Sequence, residues 1–393
     1  MSLLETIQAE FGTSVEARPA ASEILDGVFP QAVAAPFDEA AAGALVAWCG
    51  KQNLAFIARG GGSQWHVGAL PRRFDILIST EKLNSIIEHD EGNATVEAQA
   101  GVALQELDRQ VRQSGQFVPF DWTGGAATLG GAVATNRSGG TRLKYGAPRD
   151  LVTGVRVALS DGREIIGGGK VVKNVSGYDL PKIFTGSRGS LGLLTRATIR
   201  LRPLSSTSRF WQSTFHEAQA AATGLRAIFE GPFEPTLLRA IFRDGIWRVE
   251  AQFEGGENAV QSQLNRLDGG EIVAHSSVFG GGAIELRAQL PIDKAFEWTH
   301  FAIESGAREA IWEAGGTVMV ALEAAVGRET IEALRAAALK YGGWMIVERA
   351  PVEWKSAELV WGKPRSDWSL MQRLKKSYDA ADVCAPGRFA GGL

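Results

Sequence analysis

Two glycine-rich stretches carry the residue types in this sequence that could hold a charged ligand. The first is Ala58-Arg59-Gly60-Gly61-Gly62-Ser63, and the second runs from Thr123 to Asn136 through Thr128-Leu129-Gly130-Gly131. Because glycine has no Cβ atom, backbone amides can approach a ligand closely and converge on one anion. Both stretches follow apolar, strand-like runs of residues. The pattern predicts a phosphate-bearing cofactor held from two sides, and a nucleotide is the leading interpretation.

The first stretch matches neither of the two common phosphate-binding motifs. It lacks the Gly-Lys-Ser/Thr of a Walker A loop, and Trp65 stands where the Rossmann G-x-G-x-x-G pattern requires its third glycine. Successive amides of this loop and the Ser63 hydroxyl could still hold a pyrophosphate. An ordinary glycine-rich turn is an equal alternative for this stretch taken alone.

The second stretch contains Ala132-Val133-Ala134, which fits a short helix after the paired glycines. The N-terminus of such a helix would point at an anion. The alternative is a helix of small residues that packs closely on a neighbouring element. Six glycines between Gly124 and Gly140 are more than close packing alone requires.

Composition and length describe an ordinary globular chain. Its 393 residues favour two domains, and its formal charge of −3 provides no electrostatic attraction for nucleic acid. Cys49 and Cys384 are far apart in sequence, and no Cys-x-x-Cys motif occurs. We therefore expect no disulfide framework, no structural zinc and no iron–sulfur cluster.

The sequence also makes a prediction about location. The first residues lack the basic and apolar regions of a secretory signal, and no window is long and apolar enough for a membrane span. We expect a cytoplasmic chain that reaches the inner membrane only through partners.

Periodicity predicts short strands and helices throughout the chain. In the first half we expect an α+β arrangement with two hairpins rather than the long strand–helix alternation of a doubly wound fold. The sequence pattern changes near Leu201-Arg202-Pro203, where the glycine motifs end. No internal repeat is visible in the sequence. The predicted strands are 54–58, 74–78, 85–88, 94–98, 152–159, 164–166, 247–251 and 317–320, and the predicted helices are 102–111, 217–229 and 331–341.

A third glycine-punctuated segment completes the pattern. It begins with Val171-Val172-Lys173-Asn174-Val175-Ser176-Gly177-Tyr178-Asp179-Leu180-Pro181 and continues as Gly186-Ser187-Arg188-Gly189-Ser190-Leu191-Gly192-Leu193-Leu194. Together the three segments closely resemble the FAD-binding domain of the vanillyl-alcohol oxidase (PCMH-type) flavoprotein superfamily over roughly residues 25–205. The 171–181 segment, with the tail from Tyr378-Asp379 to Pro386-Gly387-Arg388, further resembles the smaller flavin subunit of bacterial glycolate oxidase (glycolate dehydrogenase).

This resemblance implies an α+β fold with two parts. A two-lobed PCMH-type FAD-binding domain would be followed by an α+β, ferredoxin-like cap that shapes the substrate side. The implied boundaries are a helical extension over 1–24, the FAD-binding domain over 25–204, and the cap over 205–393 with a tail returning to the FAD domain.

The resemblance also implies which residues meet the cofactor. It places the 59–63 loop on the FAD pyrophosphate, with a second loop on the phosphate and ribityl region that Asn136 supports. The flavin and adenine side would be lined by backbone groups of the third segment, and its start would close the site. The implied FAD-binding residues are Arg59, Gly60, Gly61, Gly62, Ser63, Thr128, Gly130, Gly131, Asn136, Gly177, Tyr178, Asp179, Gly189, Gly192 and Leu194.

The sequence departs from the resembling families at three points. Ser63 stands where covalently flavinylated members carry histidine, so we expect non-covalent FAD. Ala385 precedes Pro386-Gly387 where the family tail usually has asparagine. Relatives that oxidise 2-hydroxy acids directly carry a histidine-rich metal and base motif in the cap, whereas the five histidines of this chain are scattered: His66, His89, His216, His275 and His300.

Direct oxidation of a 2-hydroxy acid needs a base for the hydroxyl proton and a cation for the carboxylate. The candidate cations are Arg239, Lys363 and Arg365, the last two in Trp361-Gly362-Lys363-Pro364-Arg365, a loop that could face a pocket. A solvated surface charge is the more ordinary explanation of each. His275 and His300 could serve as the base, although a lone histidine is more often structural. No catalytic residue is identified.

Two functional hypotheses follow. In the first, the chain is an FAD-binding subunit of a glycolate oxidase complex that converts glycolate to glyoxylate. There it would be auxiliary to a larger homologous flavin subunit, and an iron–sulfur subunit would carry the electrons onward. In the second, the chain is a stand-alone FAD-dependent dehydrogenase of D-lactate-like 2-hydroxy acids. The scattered histidines favour the auxiliary role.

Overall fold

The computed structural model describes residues 1–20, 23–122, 125–169, 179–364 and 366–393. Contacts between residues divide the chain into two compact units. The first consists of Met1–Arg137, Ala147–Leu204 and Ser356–Leu393, and the second of Ser138–Gly146 and Ser205–Lys355. The C-terminal segment thus belongs to the first unit. The functional division into an FAD-binding domain and a cap, with its boundary after residue 204, stays a prediction.

Helices occur in both units. None of the helices within the described ranges is long and apolar enough to cross a membrane. The α-helices are α1 (Leu3–Phe11), α2 (Glu39–Gln52), α3 (Leu104–Val111), α4 (Leu129–Thr135), α5 (Arg142–Tyr145), α6 (Pro148–Leu151), α7 (Leu180–Phe184), α8 (Ala218–Phe229), α9 (Glu257–Leu264), α10 (Ile292–Glu304), α11 (Arg328–Lys340), α12 (Ala357–Trp361) and α13 (Trp368–Tyr378). Short 3₁₀ helices occupy Gly12–Ser14, Arg112–Ser114, Val352–Trp354 and Ala390–Gly392.

Within the described residues, the strands form four sheets. They are β1 (Val15–Arg18), β2 (Ala32–Pro36), β3 (Phe56–Arg59), β4 (Ile76–Ser79), β5 (Ile86–Asp90), β6 (Thr95–Gln99), β7 (Gln116–Phe117), β8 (Val152–Ala158), β9 (Glu164–Gly168), β10 (Leu193–Arg200), β11 (Arg202–Pro203), β12 (Thr207–Phe215), β13 (Leu237–Arg243), β14 (Ile246–Gly255), β15 (Glu271–Val273), β16 (Ile284–Gln289), β17 (Ala307–Glu313), β18 (Thr317–Leu322) and β19 (Trp344–Arg349).

Two larger sheets make the lobes of the first unit. One has the order β1-β2-β4-β3, in which β2, β4 and β3 are parallel and β1 is antiparallel at the edge. The other has the antiparallel order β5-β6-β10-β8-β9, and β7 pairs with β11 in a short ladder. These lobes, together with the helices, confirm the predicted α+β class, and both predicted hairpins, β5–β6 and β8–β9, are present.

Helix α2 provides the crossover that the parallel strands require, because β2 and β3 run in the same direction. Asp38 caps the helix by accepting a hydrogen bond from the Ala41 amide at 2.8 Å, and Asn53 ends it in a left-handed conformation. Its Leu45 and Cys49 side chains are buried in the core of this lobe. The crossover places the first glycine loop at the carboxyl end of β3, next to that of β4.

The second unit contains a structural duplication that the sequence did not reveal. Strands β12 to β15 with α8 and α9 follow a βαββαβ order and pair as β15-β12-β14-β13, which is the ferredoxin-like arrangement. Strands β16 to β19 with α10 and α11 repeat it, paired as β17-β18-β16-β19. The two copies join through β13 and β17 into one antiparallel sheet.

A buried ion pair fastens the C-terminal segment within the first unit. The Lys375 ammonium donates to an Asp379 carboxylate oxygen at 2.6 Å and to the carbonyls of Ser190 and Cys384, each at 2.9 Å. Asp379 also accepts hydrogen bonds from the Ser160 hydroxyl at 2.7 Å and the Cys384 amide at 2.8 Å. Burial raises the pKa of Asp379, but these donors outweigh burial and hold that pKa below its ordinary value.

We predict that Asp379→Asn destabilises the first unit, because it removes the buried counter-charge of the Lys375 ammonium and leaves only Asp382, whose half-exposed carboxylate lies 3.4 Å away. The expected loss is about 3 kcal/mol, which corresponds to roughly 6–12 °C in melting temperature at pH 7 for a unit of this size. The carboxyl has a lower pKa folded than unfolded. Its contribution is therefore present above about pH 4 and disappears as the pH falls through the folded value.

Thermal denaturation followed by circular dichroism at pH 7 and in acid tests this expectation. Lys376→Met, on the exposed side of α13, is the matched control and should leave the melting temperature nearly unchanged. An Asp379→Asn variant that melts with the wild-type protein at pH 7 contradicts the prediction.

Candidate functional site

An open cleft of about 950 Å³ lies within the first unit. Four segments build its walls: the loop after β3, the start of α4, the loop before β10, and the C-terminal tail. The residues that line it are Ile57, Ala58, Arg59, Gly60, Gly61, Gly62, Ser63, Gln64, Trp65, Val67, Thr80, Ala100, Thr128, Gly130, Gly131, Ala134, Thr135, Arg188, Gly189, Gly192, Leu193, Leu194, Ala385 and Arg388.

The loop after β3 requires glycine for steric reasons. A Cβ atom on Gly60 would collide with the Thr128 side chain, and one on Gly61 would collide with the carbonyl of Ala126. Gly62 has φ +78°, a conformation that favours glycine. The first predicted glycine loop and the second therefore meet in backbone contact.

The amides of this loop are available to a ligand. No residue within the described parts of the chain accepts a hydrogen bond from the backbone N–H of Gly60, Gly61, Gly62 or Ser63. Four successive donors at the wall of a cleft form a site that suits an anion, since backbone amides rarely stay unsatisfied. The predicted pyrophosphate role of this loop rests on these donors.

The second glycine loop forms the predicted short helix, but its first amides are already engaged. The Leu129 amide donates to the Val102 carbonyl at 2.9 Å, and the Gly130 amide donates to the Ala100 carbonyl at 2.8 Å. The Gly131 amide donates to the Thr128 hydroxyl at 3.3 Å. Docking of α4 on the 100–103 segment thus takes up the donors that the sequence assigned to an anion, although Thr128, Gly130 and Gly131 do line the cleft.

The third segment contributes backbone to the opposite wall. Gly189, Gly192 and Leu194 line the cleft, and Gly192 has φ +151° with the Ala158 carbonyl only 2.8 Å from the position of a Cβ atom. Gly177 and Tyr178 lie outside the described residues.

Two implied site residues lie away from the cleft wall. Asp179 is exposed at the start of α7 and forms an ion pair with Lys182 at 2.7 Å. Asn136 ends α4, and its side-chain oxygen accepts a hydrogen bond from the Arg149 amide at 2.9 Å. Neither is among the residues that line the cleft. Their cofactor roles stay predictions.

The C-terminal tail forms a wall that sequence reasoning did not assign to the site. The Phe56 amide donates to the Val383 carbonyl, and the Ala385 amide donates to the Phe56 carbonyl, both at 2.8 Å. This pairing extends the sheet beyond β3 and brings Ala385 and Arg388 to the cleft. The resemblance of the tail to a known flavin subunit was the signal that could have placed these residues in the site.

The charges around the cleft favour an anion. Among the described residues that line it, the charged side chains are three arginines, and none is acidic. Arg388 is buried and pairs with Asp26 at 3.3 Å, and it donates to the carbonyls of Trp65 and Ala69 at 2.8 and 3.0 Å. Burial lowers the pKa of Arg388, and Asp26 opposes that change.

Arg59 is oriented in a similar way. Its guanidinium binds both carboxylate oxygens of Glu23, one of them at 2.8 Å, and lies 5.5 Å from the centroid of the Trp65 ring. Hydrogen bonding by Arg59 lowers the pKa of Glu23. The Arg59 side chain is thus engaged by Glu23, and its neighbouring amides carry the anion-binding potential of the loop.

The candidate cations from the sequence occupy other environments. Arg239 belongs to the second unit, where it is buried and binds the Glu250 carboxylate at 2.9 Å. The Lys363 side chain is 87% exposed, and Arg365 lies outside the described residues. Neither Arg239 nor Lys363 lines the cleft.

The candidate bases are also away from the cleft lining. His275 is exposed, and the His300 ring lies 3.5 Å from the Glu304 carboxylate on α10. Within the described parts of the chain, no group of three or more histidine, cysteine or acidic side chains is placed to hold a metal ion.

Comparison with known proteins relates part of this chain to FAD-binding proteins. Residues 30–167 match the family described as FAD binding domain. Among curated proteins, the chain is 33% identical over 222 residues to the glycolate oxidase subunit GlcD of Bacillus subtilis (strain 168), covering 56% of this chain and 47% of that protein. It is 38% identical over 171 residues to a D-lactate dehydrogenase of Archaeoglobus fulgidus, covering 44% of this chain and 38% of that protein.

Two further comparisons concern another dehydrogenase and a solved structure. A D-2-hydroxyglutarate dehydrogenase of Xanthomonas citri pv. viticola is 32% identical over 173 residues, covering 44% of this chain and 37% of that protein. The chain spans less than half of the length of each of these three relatives. A solved structure of alkyldihydroxyacetonephosphate synthase superposes with a TM-score of 0.66 at 17% identity, over 91% of this chain and 77% of that one, which shows a shared fold.

The matched residues include both glycine loops of the cleft. Residues 30–167 therefore match an FAD-binding domain, and the chain shares the fold of the PCMH-type alkyldihydroxyacetonephosphate synthase structure.

Proposed function

We propose that this chain is the FAD-binding subunit of a complex that oxidises glycolate to glyoxylate, and that FAD binds in the cleft without a covalent bond. The similarity to a glycolate oxidase subunit supports this choice of substrate. The other relatives are named for D-lactate and D-2-hydroxyglutarate, which are also 2-hydroxy acids. A 2-hydroxy acid is thus the common chemical class.

The observation that carries the proposal is the set of four available amides over 60–63, at the wall of a cleft lined by arginines and by no described acidic residue. A dinucleotide cofactor brings a diphosphate, whose charge such donors offset. When bound, FAD would supply a two-electron acceptor. The chain itself would bind and orient the cofactor largely through backbone groups.

The remaining implied residues enter the proposal with specific roles. Thr128, Gly130 and Gly131 would border the cofactor from the second loop, and Asn136 would fix the end of α4. Gly189, Gly192 and Leu194 would line the opposite side with backbone. Gly177, Tyr178 and Asp179 would close the site.

The proposed role is auxiliary to a larger homologous flavin subunit, with an iron–sulfur subunit as the onward electron carrier. The five histidines of the chain are scattered in sequence, whereas abstraction of a hydroxyl proton needs a base beside the flavin. The chain has only two cysteines, Cys49 and Cys384, and both are buried, so the electrons would leave it through a partner or a quinone. We propose that the complex functions in the cytoplasm, with contact to the inner membrane through these partners.

A second candidate function is a stand-alone FAD-dependent dehydrogenase of a D-lactate-like 2-hydroxy acid. The 38% identity to a D-lactate dehydrogenase favours it.

We predict that acid denaturation releases all of the flavin from the purified chain, because Ser63 provides no imidazole for a covalent link. The measurement is the flavin absorbance of the supernatant after acid precipitation, compared with the total before it. Yellow colour that stays with the precipitated chain would refute non-covalent binding.

We predict that Gly131→Asp loses FAD while the chain stays folded. A carboxylate in the first turn of α4 stabilises the helix, but the same charge repels a bound diphosphate. The expected rise in the dissociation constant for FAD is at least ~tenfold, since a repulsion above about 1.4 kcal/mol suffices. Flavin fluorescence titration measures it, and circular dichroism checks the fold.

Gly131→Ala is the matched control for this variant. Its added Cβ atom lies 3.2 Å from the Thr128 hydroxyl oxygen, so it tests steric fit without the charge. It should bind FAD within about threefold of wild type, a difference below ~0.7 kcal/mol. Equal FAD affinity of Gly131→Asp and wild type would remove the second glycine loop from the cofactor site.

We predict that glycolate does not bleach the FAD of the isolated chain under anaerobic conditions, whereas it bleaches the flavin of the assembled complex. The reason is the expected lack of a base beside this flavin. The measurement is flavin absorbance before and after glycolate, with D-lactate and D-2-hydroxyglutarate as comparisons and dithionite as the control for reducibility. Bleaching of the isolated chain by any of the three acids would instead establish the stand-alone dehydrogenase.

A further inference from the structure

Three arginines line the cleft within the described residues. Arg59 pairs with Glu23, and Arg388 pairs with Asp26. The guanidinium carbon of Arg188 lies 4.9 Å from the centroid of the Trp361 ring. A cation at this distance from an aromatic ring is attracted to it, so Trp361 positions the Arg188 guanidinium.

The backbone of Arg188 is also unusual. Its φ is +54°, a left-handed conformation that is unfavourable for a residue with a Cβ atom. The conformation is imposed by the Arg188 amide, which donates to the Ala134 carbonyl at 2.8 Å. Glycine would adopt this turn without cost, as Gly186 and Gly189 do on either side with φ of +86° and +75°. The position therefore carries an arginine despite its backbone, which points to a use for the side chain.

The stacking ring is itself firmly positioned. The Trp361 indole N–H donates to the Arg388 carbonyl at 3.1 Å, and the ring packs edge to face against Phe389 at 5.2 Å between centroids. Trp361 ends α12, and Ser356 caps that helix by accepting from the Leu359 amide at 3.1 Å. The tryptophan of the segment noted in the sequence thus supports a cationic side chain of the cleft.

We propose that Arg188 binds an anionic oxygen group of a ligand in the cleft. The group is a phosphate of FAD or the carboxylate of a 2-hydroxy acid, which present the same paired oxygens to a guanidinium. The inference rests on the proposed function, because it requires a flavin cleft. It adds a recognition residue, Arg188, and a positioning residue, Trp361, that the sequence did not assign.

The test compares full-length wild type with Arg188→Gly and Arg188→Lys. Glycine removes the guanidinium and suits the positive φ, so the variant is expected to fold; lysine keeps the charge. Flavin fluorescence titration gives the dissociation constants for FAD and for riboflavin, which lacks phosphate. Perturbation of the bound FAD absorbance gives the dissociation constants for glycolate and oxalate, with uncharged ethylene glycol as the control.

Loss of a charge-assisted hydrogen bond is expected to weaken the relevant ligand roughly tenfold to a hundredfold. If the group is a phosphate, Arg188→Gly lowers the affinity for FAD by this factor and leaves the affinity for riboflavin unchanged. If the group is a carboxylate, the affinity for FAD is unchanged and the affinities for glycolate and oxalate fall, while that for ethylene glycol does not. Arg188→Lys should lose less ligand affinity than Arg188→Gly in either case.

Affinities of Arg188→Gly for FAD and for both acids within twofold of wild type overturn the proposal. Where wild type itself shows no response to the acids, an unchanged FAD affinity is sufficient to overturn it. A wild-type chain that does not bind FAD refutes the proposed function instead, so the two failures are distinguishable. Trp361→Phe keeps an aromatic ring and should have the ligand affinities of wild type. Trp361→Leu should have weaker affinities, closer to those of Arg188→Gly.

Discussion

The close approach of two backbone segments is the constraint on which the cleft depends. Gly60 lies against the Thr128 side chain and Gly61 against the Ala126 carbonyl, with no room for a Cβ atom at either position. Any larger residue would separate the two loops and displace the amides of the first loop. The glycines are thus required by packing, and their role in ligand approach is the proposed one.

The other parts of the first unit keep these loops in place. Helix α4 is docked through its own first amides, which donate to Ala100 and Val102, and therefore serves as a support rather than as the anion donor. The tail adds the outermost pairing to β3, and the buried Lys375–Asp379 pair joins that tail to the Ser190 carbonyl in the third segment. Three cleft walls are in this way connected: the loop after β3, the loop before β10 and the tail. The Lys375 ammonium joins the tail to the loop before β10, and two backbone hydrogen bonds join the tail to β3.

The local parts of this structure were predictable, and the long-range pairings were not. The glycine loops, the two hairpins and helices α3, α8 and α11 follow from composition and periodicity within a few residues, whereas helices α2, α10 and α13 were not predicted. The Glu23–Arg59 and Asp26–Arg388 pairs depend on which segments meet in three dimensions, so spacing alone could not indicate them. Arg239 illustrates the limit: strand register places it between Glu250 and Glu313, which makes it part of a buried ion-pair group in the second unit. The duplication escaped notice because the two copies share topology rather than a visible sequence period.

The construction of the cleft explains how flavin binding and flavin chemistry can separate in one chain. The proposed cofactor contacts are largely backbone amides and glycines of the first unit, so selection on the fold alone preserves them. A base for proton abstraction is a side chain, and the candidates His275 and His300 belong to the second unit, one exposed and the other beside Glu304. Substitution can therefore remove a catalytic side chain while the backbone contacts of the first unit are kept. The proposed subunit that holds flavin for a complex is consistent with that asymmetry.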